Sequence, residues 1–207
     1  MLFVVYSFKK KPNKFSKNDV PPMDEPDAAI EKKPLKKFVF KSDDGFGFAH
    51  KENETLHLRH DEIAQKDAVF RNLRDCHLII EGGALTVHFI SLVGCRILCG
   101  PVSTSVFIES CQNCKFVIAC QQLRTHHTYD TDFYLHVTSR GIIEDSQRLR
   151  FAPYNWNYTN IEKHFRFVDL DSQQNHWNLI NDFNWLSSAP SPNWKILEES
   201  ERIAEWE

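Results

Sequence analysis

The segment ACQQLRTH, residues 119–126, places two side-chain amides and one arginine directly after an apolar run. The run 116–119 is typical of a buried strand, so Gln121, Gln122 and Arg124 are expected to emerge at its end. An arginine guanidinium is permanently charged and offers a planar set of donors that suits phosphate oxygens, which lysine cannot reproduce. By itself, however, an arginine at a strand end is more often solvated or salt-bridged. The segment alone therefore indicates a candidate group for phosphate chemistry and leaves both interpretations open.

The cysteines are the second candidates, because Cys111 and Cys114 form a CxxC with other cysteines close in sequence. A structural zinc site would need four ligands that converge tetrahedrally, and a redox CxxC would need a βαβ context that is not indicated here. Small buried side chains are the commoner role of cysteine in a reduced protein. The sequence also contains no HExxH, GxSxG or GxxxxGK[ST] motif. We therefore expect no metal, no cofactor and no nucleotide binding through a P-loop.

A repeat organises the centre of the chain. Cys76, Cys95 and Cys114 recur at a constant spacing, from i to i+19, and each begins a short apolar run: CHLII, CRILC and CKFVI. A second set of runs, LTVHFI and TSVFIE, recurs at the same interval, and Phe133 falls one interval beyond Cys114. Short strands at a fixed interval are typical of a solenoid, in which each coil buries its apolar face against the next. The pattern predicts a parallel β-helix over about residues 75–155 with the three cysteines stacked in its interior.

The segments on either side of the repeat differ from it in composition and in the spacing of apolar residues. Residues 9–37 are rich in Lys, Pro and Asp, which predicts a linker within a disordered basic tail over 1–44. Apolar residues at a spacing of three to four predict an amphipathic helix at about 53–72, at the start of a domain spanning 45–207. Beyond residue 151 the chain is dense in aromatic residues, Asn and Pro, and we expect this segment to wrap one face or the C-terminal end of the solenoid.

Charge and hydropathy exclude several classes of partner. Net charge is −3, and residues 1–41 carry an excess of five positive charges, which leaves the rest clearly acidic. An acidic domain argues against a nucleic-acid surface, which needs a concentrated basic patch. The apolar opening MLFVVYSF is too short to span a bilayer and lacks the features of a secretory signal. These features favour a cytoplasmic protein with reduced cysteines.

Six blocks of sequence carry a family resemblance. In order they are CGPVSTSVFIESC (99–111), ACQQLRTH (119–126), FYLHVTSRGIIEDS (133–146), RFAPYNW (150–156), WNLINDFNWL (177–186) and SPNWKIL (191–197). Together they resemble the tubulin-binding cofactor C domain family over about residues 45–207. The VTSR and FAPY blocks are more similar to cofactor C itself than to the relative that acts on Arf-like GTPases or to cyclase-associated protein.

The resemblance implies a fold and a set of site residues. The fold is a right-handed parallel β-helix with a short N-terminal helix and a C-terminal wrapping segment. The catalytic arginine of the family matches Arg124, its supporting glutamine matches Gln121, and a supporting acid matches Glu144. A partner-contacting phenylalanine matches Phe183. Gln122 and Trp177 are also expected to contact the partner. Phe183, with Trp177 or Trp185, is expected to form part of an exposed apolar patch that flanks Arg124.

The implied function is activation of a GTPase by an arginine supplied in trans. The GTP belongs to β-tubulin in a complex with cofactors D and E, from which folded α/β-tubulin is released, and the protein is cytoplasmic and associated with the cytoskeleton. The chain itself is not expected to bind or hydrolyse nucleotide alone. Two alternatives stay open: an activator of an Arf-like small GTPase, and a non-catalytic scaffold that binds tubulin or a cofactor.

Overall fold

The computed structural model of the protein describes residues 45–206. Within them the chain forms twelve strands, two short α-helices and a 3₁₀ turn. The elements are β1 (Ala49–Glu52), β2 (Thr55–Arg59), α1 (His60–Ile63), β3 (Asp67–Arg74), β4 (His77–Glu81), β5 (Thr86–Ile90), β6 (Arg96–Glu109), β7 (Lys115–His126), β8 (Asp132–Val137), β9 (Gly141–Glu144), β10 (Leu149–Pro153), α2 (Ile161–Phe167), β11 (Ile180–Asp182), β12 (Trp194–Ile196) and the 3₁₀ turn Glu199–Glu201. The expected tail over 1–44 lies outside the described residues.

Every strand pairing in this region is parallel, and the pairings define two sheets. Sheet 1 runs through β2, β4, the first halves of β6 and β7, then β8, β10 and β12. Sheet 2 runs through β1, β3, β5, the second halves of β6 and β7, then β9 and β11. Strands β6 and β7 bend from one sheet into the other, with register shifts at 98–101 and 102–105 of β6. The chain is therefore a solenoid of about six coils, which confirms the predicted parallel β-helix.

The interior between the sheets is filled by side chains that repeat from coil to coil. Five phenylalanines from successive coils have ring centroids 5.0–5.6 Å apart and are almost fully buried: Phe70, Phe89, Phe116, Phe133 and Phe151. Three of the four spacings follow from the strand separation of about 4.8 Å, whereas Phe89 of sheet 2 and Phe116 of sheet 1 meet across the interior. Each ring is covered by the next, so no coil buries its apolar face alone, as the repeat requires.

The cysteines occupy one corner of the coil. Cys76, Cys95 and Cys114 are buried, and each thiol donates to the carbonyl two residues earlier, at 3.2, 3.4 and 3.2 Å. In the next coil Thr131 makes the same bond through its hydroxyl, at 2.8 Å. A small side chain with one donor thus satisfies a corner carbonyl in each coil. The prediction that the three cysteines stack in the interior is confirmed.

Two details of the sequence analysis are wrong. The helix expected at about 53–72 is limited to α1, and the rest of that segment forms β2 and β3. Leu56 and Leu58 alternate with exposed neighbours, which is strand periodicity. The apparent helical spacing further on arises because α1 ends after Ile63, where Ala64 has a non-helical ψ of 124°, and the chain turns at Gln65 with a φ of 55° before β3 begins. Phe133 is also displaced, since it pairs with Phe116 rather than with Cys114, so that Thr131 takes the corner position.

The aromatic C-terminal segment packs along the solenoid, as expected. It contributes β11 to sheet 2 and β12 to sheet 1, and Trp194 packs edge-on against Phe151 with centroids 5.8 Å apart. Nearer the end of the chain, the Ile203 backbone N–H donates to the Tyr134 hydroxyl at 2.7 Å. No helix within residues 45–206 is long and apolar enough to cross a membrane.

Candidate functional site

Arg124 lies on the outer surface of sheet 2. Strand alternation directs Leu123 and Thr125 into the core, where both are buried, so Arg124 and its alternate neighbours Gln122 and His126 point outward. In register, Arg124 is paired with Phe107 of the preceding coil and with Ile142 of the following coil. The arginine is half-buried between two apolar neighbours, and this restricts the paths that its side chain can take.

The two glutamines before it have different positions. Gln121 lies between the halves of β7, at the corner where the chain passes from sheet 1 to sheet 2, and its carbonyl accepts from the Ser139 backbone N–H at 3.1 Å. Gln122 lies on the outer face beside Arg124, and its Oε1 accepts from the Ser105 hydroxyl at 3.4 Å. Both side chains are exposed. The amide on the same outward row as the arginine is therefore that of Gln122.

Glu144 lies on the next row of the same face. It is paired with His126, while Arg124 is paired with Ile142 two residues earlier, so the glutamate and the arginine are diagonal neighbours on adjacent strands. Glu144 is half-buried, and its backbone carbonyl accepts from the Ser146 hydroxyl at 2.9 Å. This hydrogen bond holds the backbone of Glu144 in place at the end of β9.

Phe183 extends this outer face by one further coil. Its backbone N–H donates to the Ile143 carbonyl at 3.0 Å, and its side chain is 53% exposed. Trp185 and Leu186 follow it and are also exposed, with Leu186 at 95%. Trp177 differs from them, because it is half-buried against the core and lies 5.8 Å from the Arg202 guanidinium. The exposed apolar patch at this end of the site consists of Phe183, Trp185 and Leu186.

Two neighbours of Arg124, Phe107 and Ile142, were not identified from the sequence, and neither was His88, which lies one strand beyond Phe107. His88 stacks on Phe107 with centroids 4.5 Å apart, in the coil before it. Burial lowers the pKa of His88 to about 4, although the carboxylate of Asp67 opposes this shift. A neutral imidazole at this position adds no charge to the face that carries the guanidinium. The repeat interval relates His88 to Phe107, which have the same i to i+19 spacing as the cysteines, but it relates neither of them to Arg124 or Ile142.

Groups able to hold a metal lie at one edge of this face and not among the cysteines. The six cysteines are buried, and none of them belongs to a group of three or more possible ligands within residues 45–206. Burial raises the pKa of Cys99 and of Cys111 to about 12, which disfavours the thiolate that a metal needs, whereas a hydrogen bond with Cys114 lowers the pKa of Cys95 to about 7. His126, His127 and Asp145 instead bring one ligand atom each within 4.8 Å of one another. This cluster begins two residues after Arg124.

The chain is similar in sequence to known proteins of one family. A family model described as Tubulin binding cofactor C matches residues 65–183. Tubulin-specific chaperone C of Bos taurus is 45% identical over 162 residues, which are 78% of this chain and 47% of that protein. Tubulin-folding cofactor C of Arabidopsis thaliana is 35% identical over 161 residues, again 78% of this chain and 47% of that protein. The chain spans about half the length of the curated relatives it matches.

A solved structure is similar in fold. Tubulin Binding Cofactor C from Leishmania major has a TM-score of 0.56 and 22% sequence identity, and the match covers 76% of this chain and 91% of that one. The family match includes Arg124, Glu144 and Phe183 and covers more than half of the chain. The chain belongs to the tubulin-binding cofactor C family.

Proposed function

We propose that this chain is a GTPase-activating protein that supplies Arg124 in trans to the GTP of β-tubulin. It acts with tubulin cofactors D and E and promotes release of folded α/β-tubulin in the cytoplasm. The observation that carries the proposal is the outward position of Arg124 between Phe107 and Ile142 on a rigid sheet. The printed names of its relatives, tubulin-specific chaperone C and tubulin-folding cofactor C, support tubulin as the partner.

The mechanism follows from the charge that develops during hydrolysis. Phosphoryl transfer to water builds negative charge on the oxygens of the γ- and β-phosphates, and an arginine finger stabilises this charge with two or more donors. The gain in rate is about 10³- to 10⁵-fold, or about 4–7 kcal/mol of the barrier. Part of this gain would be lost if the guanidinium had to be immobilised during the reaction. The flanking Phe107 and Ile142 reduce that cost in advance.

The neighbouring groups have supporting roles in this proposal. Glu144, the diagonal neighbour of Arg124, orients the guanidinium through charge. Gln121 and Gln122 present amides to the partner at the corner and on the outer face, where both are exposed. Phe183, with Trp185 and Leu186, contributes apolar contact area beside the arginine, as aromatic groups and arginine do at the centres of interfaces. Trp177 supports this segment from below, since it packs against the core.

The test is GTP hydrolysis by tubulin with cofactors D and E, measured with and without the full chain. Arg124→Ala should abolish the stimulation and leave complex formation and the melting temperature nearly unchanged, because the interaction is made mainly in the transition state. Arg96→Ala is the matched control, since Arg96 is an exposed arginine on sheet 1. Full stimulation by a folded Arg124→Ala protein would support a non-catalytic scaffold instead. Parallel reactions with an Arf-like small GTPase identify which GTPase responds.

A further inference from the structure

His127 and Asp145 occupy equivalent corner positions in successive coils. The His127 backbone N–H donates to the Glu144 carbonyl just before Asp145, and both residues have left-handed backbone conformations, with φ of 48° and 49°. Consecutive residues of a strand normally point to opposite faces. The left-handed turn at His127 instead brings its ring beside that of His126, with centroids 3.7 Å apart. Two imidazoles from adjacent residues therefore lie together next to the carboxylate of the following coil.

The distances within this cluster are close to those of a metal site. Oδ2 of Asp145 lies 3.2 Å from Nε2 of His126 and 4.0 Å from Nδ1 of His127. Tetrahedral Zn²⁺ with bonds of about 2.0–2.1 Å separates its ligand atoms by about 3.3 Å. The pair of His126 and Asp145 already has this separation, at which the two side chains share a hydrogen bond that a metal ion would replace. Nδ1 of His127 needs to move roughly 1 Å closer to Oδ2 of Asp145, and the three ligand atoms all lie within 4.8 Å of one another.

Contacts outside the cluster orient two of its three members. Asn184 Nδ2 donates to Oδ1 of Asp145 at 3.0 Å, and the Asp145 backbone N–H donates to Oδ1 of Asn184 at 2.6 Å. Oδ1 is thereby occupied, and Oδ2 faces the histidines. Nδ1 of His126 is buried without a hydrogen-bond partner among the described residues, and it lies 4.0 Å from Oε1 of Glu109. When Nε2 of His126 binds a metal, the proton is on Nδ1, where a carboxylate is the usual acceptor.

We propose that His126, His127 and Asp145 bind one Zn²⁺ ion, with the fourth position taken by water. Two imidazole nitrogens and one carboxylate oxygen suit Zn²⁺ and related late transition metals. Mg²⁺ and Ca²⁺ prefer oxygen ligands, so they bind poorly to this set. Through Asp145 and Asn184 the ion stabilises the segment that presents Phe183. The binding of Zn²⁺ does not depend on the proposed GTPase activation, so it can be tested without a GTPase.

The test is calorimetric titration of Zn²⁺ into untagged, chelator-treated full-length protein at neutral pH. We expect one saturable site that millimolar Mg²⁺ does not displace, and a visible spectrum typical of low coordination when Co²⁺ replaces Zn²⁺. Residues 1–44 contain no His or Cys, so they add no competing ligand of those types. Asp145→Asn and His127→Asn should each weaken binding about tenfold or more, because each removes one of three ligands.

Both substitutions keep the fold, since asparagine tolerates the left-handed conformation that these two positions require. His57→Asn is the matched control, because His57 also faces a carboxylate, with Nε2 3.4 Å from Oε2 of Glu81, but it is outside the cluster. That variant should bind Zn²⁺ with unchanged affinity. The proposal is overturned if the original protein shows no saturable one-to-one binding, or if Asp145→Asn and His127→Asn bind as tightly as the control.

Discussion

Phe107 and Arg124 are paired in register on neighbouring strands of sheet 2. Paired residues of adjacent parallel strands are about 4.8 Å apart, which leaves the aliphatic part of the arginine within reach of the phenylalanine ring. Ile142 bounds the arginine on the other side. The solenoid therefore limits the conformations of Arg124 before any partner is bound, and this arrangement can be tested separately from the charge.

Phe107→Ala should slow stimulated GTP hydrolysis without removing a charge. The guanidinium loses one of its two apolar neighbours and must be ordered during the reaction, so we expect a fall of about tenfold in the maximal rate. Complex formation should change little. The measurement is the rate of GTP hydrolysis at saturating chain concentration, with Phe107→Leu as a control that keeps an apolar neighbour. Equal rates for the original protein and the alanine variant would contradict the positioning role.

Arg124→Lys should rescue little of the activity lost in Arg124→Ala. Lysine keeps the positive charge but offers a point charge in place of a planar fork, and it cannot donate to two phosphate oxygens in fixed geometry. We expect stimulation to be lower by about two orders of magnitude or more. Melting temperatures should stay within a few degrees, because a charge at the surface contributes little to stability. A lysine variant with near-normal activity would show that charge alone is sufficient.

Phe183→Ala should weaken association with the GTPase and leave the fold intact. The side chain is about half exposed, so its truncation removes little buried area from the monomer. An aromatic anchor at an interface contributes about 1–3 kcal/mol, which corresponds to a rise of roughly 5- to 150-fold in the concentration needed for half-maximal stimulation. Ile196→Ala on sheet 1 is the control, since that side chain is 42% exposed. Unfolding of the Phe183 variant, or unchanged half-saturation, would contradict the partner contact.

The sequence was sufficient to predict the coil but not its register. The recurrence of Cys76, Cys95 and Cys114 located three corners, and it ended at Thr131 because the corner needs a small donor rather than a cysteine. The spacing between equivalent positions also shortens there, from i+19 to i+17, so a fixed period displaces Phe133 by two positions. Spacing alone cannot show such a shift, because it is produced by the corner geometry.

The register of strand pairing, which sequence spacing does not show, also determines which residues surround Arg124. The resemblance identified Arg124 and its supporting residues, but the neighbours Phe107 and Ile142 depend on which strands pair and at which offset. That offset changes within β6, between Val102 and Ser105, where the chain turns from sheet 1 to sheet 2. His127 and Asp145 are likewise brought together by two left-handed corners. Short-range sequence patterns do not record contacts of this kind.

His88 should make the protein less stable as the solution becomes acidic. Burial lowers the pKa of its imidazole to about 4 in the folded state, whereas the unfolded chain has a histidine pKa of about 6.5. Above pH 6.5 or so the ring is neutral in both states and contributes no pH dependence. As the pH falls from there towards about 4, the unfolded state takes up a proton that the folded state excludes, so the free energy of unfolding decreases.

The full shift corresponds to a ceiling of about 3 kcal/mol, and because the ring is partly accessible to solvent we expect about 1–2 kcal/mol. The measurement is urea unfolding between about pH 7.5 and about pH 4.5 for the original protein and for His88→Gln, which carries no titrating group at this position. The variant should lose less stability over this range. It keeps a residual slope, because burial also lowers the pKa of His77, His136 and His164. Identical pH profiles for the two proteins would show that His88 takes up its proton equally well in the folded and unfolded states, which is incompatible with its burial against Phe107.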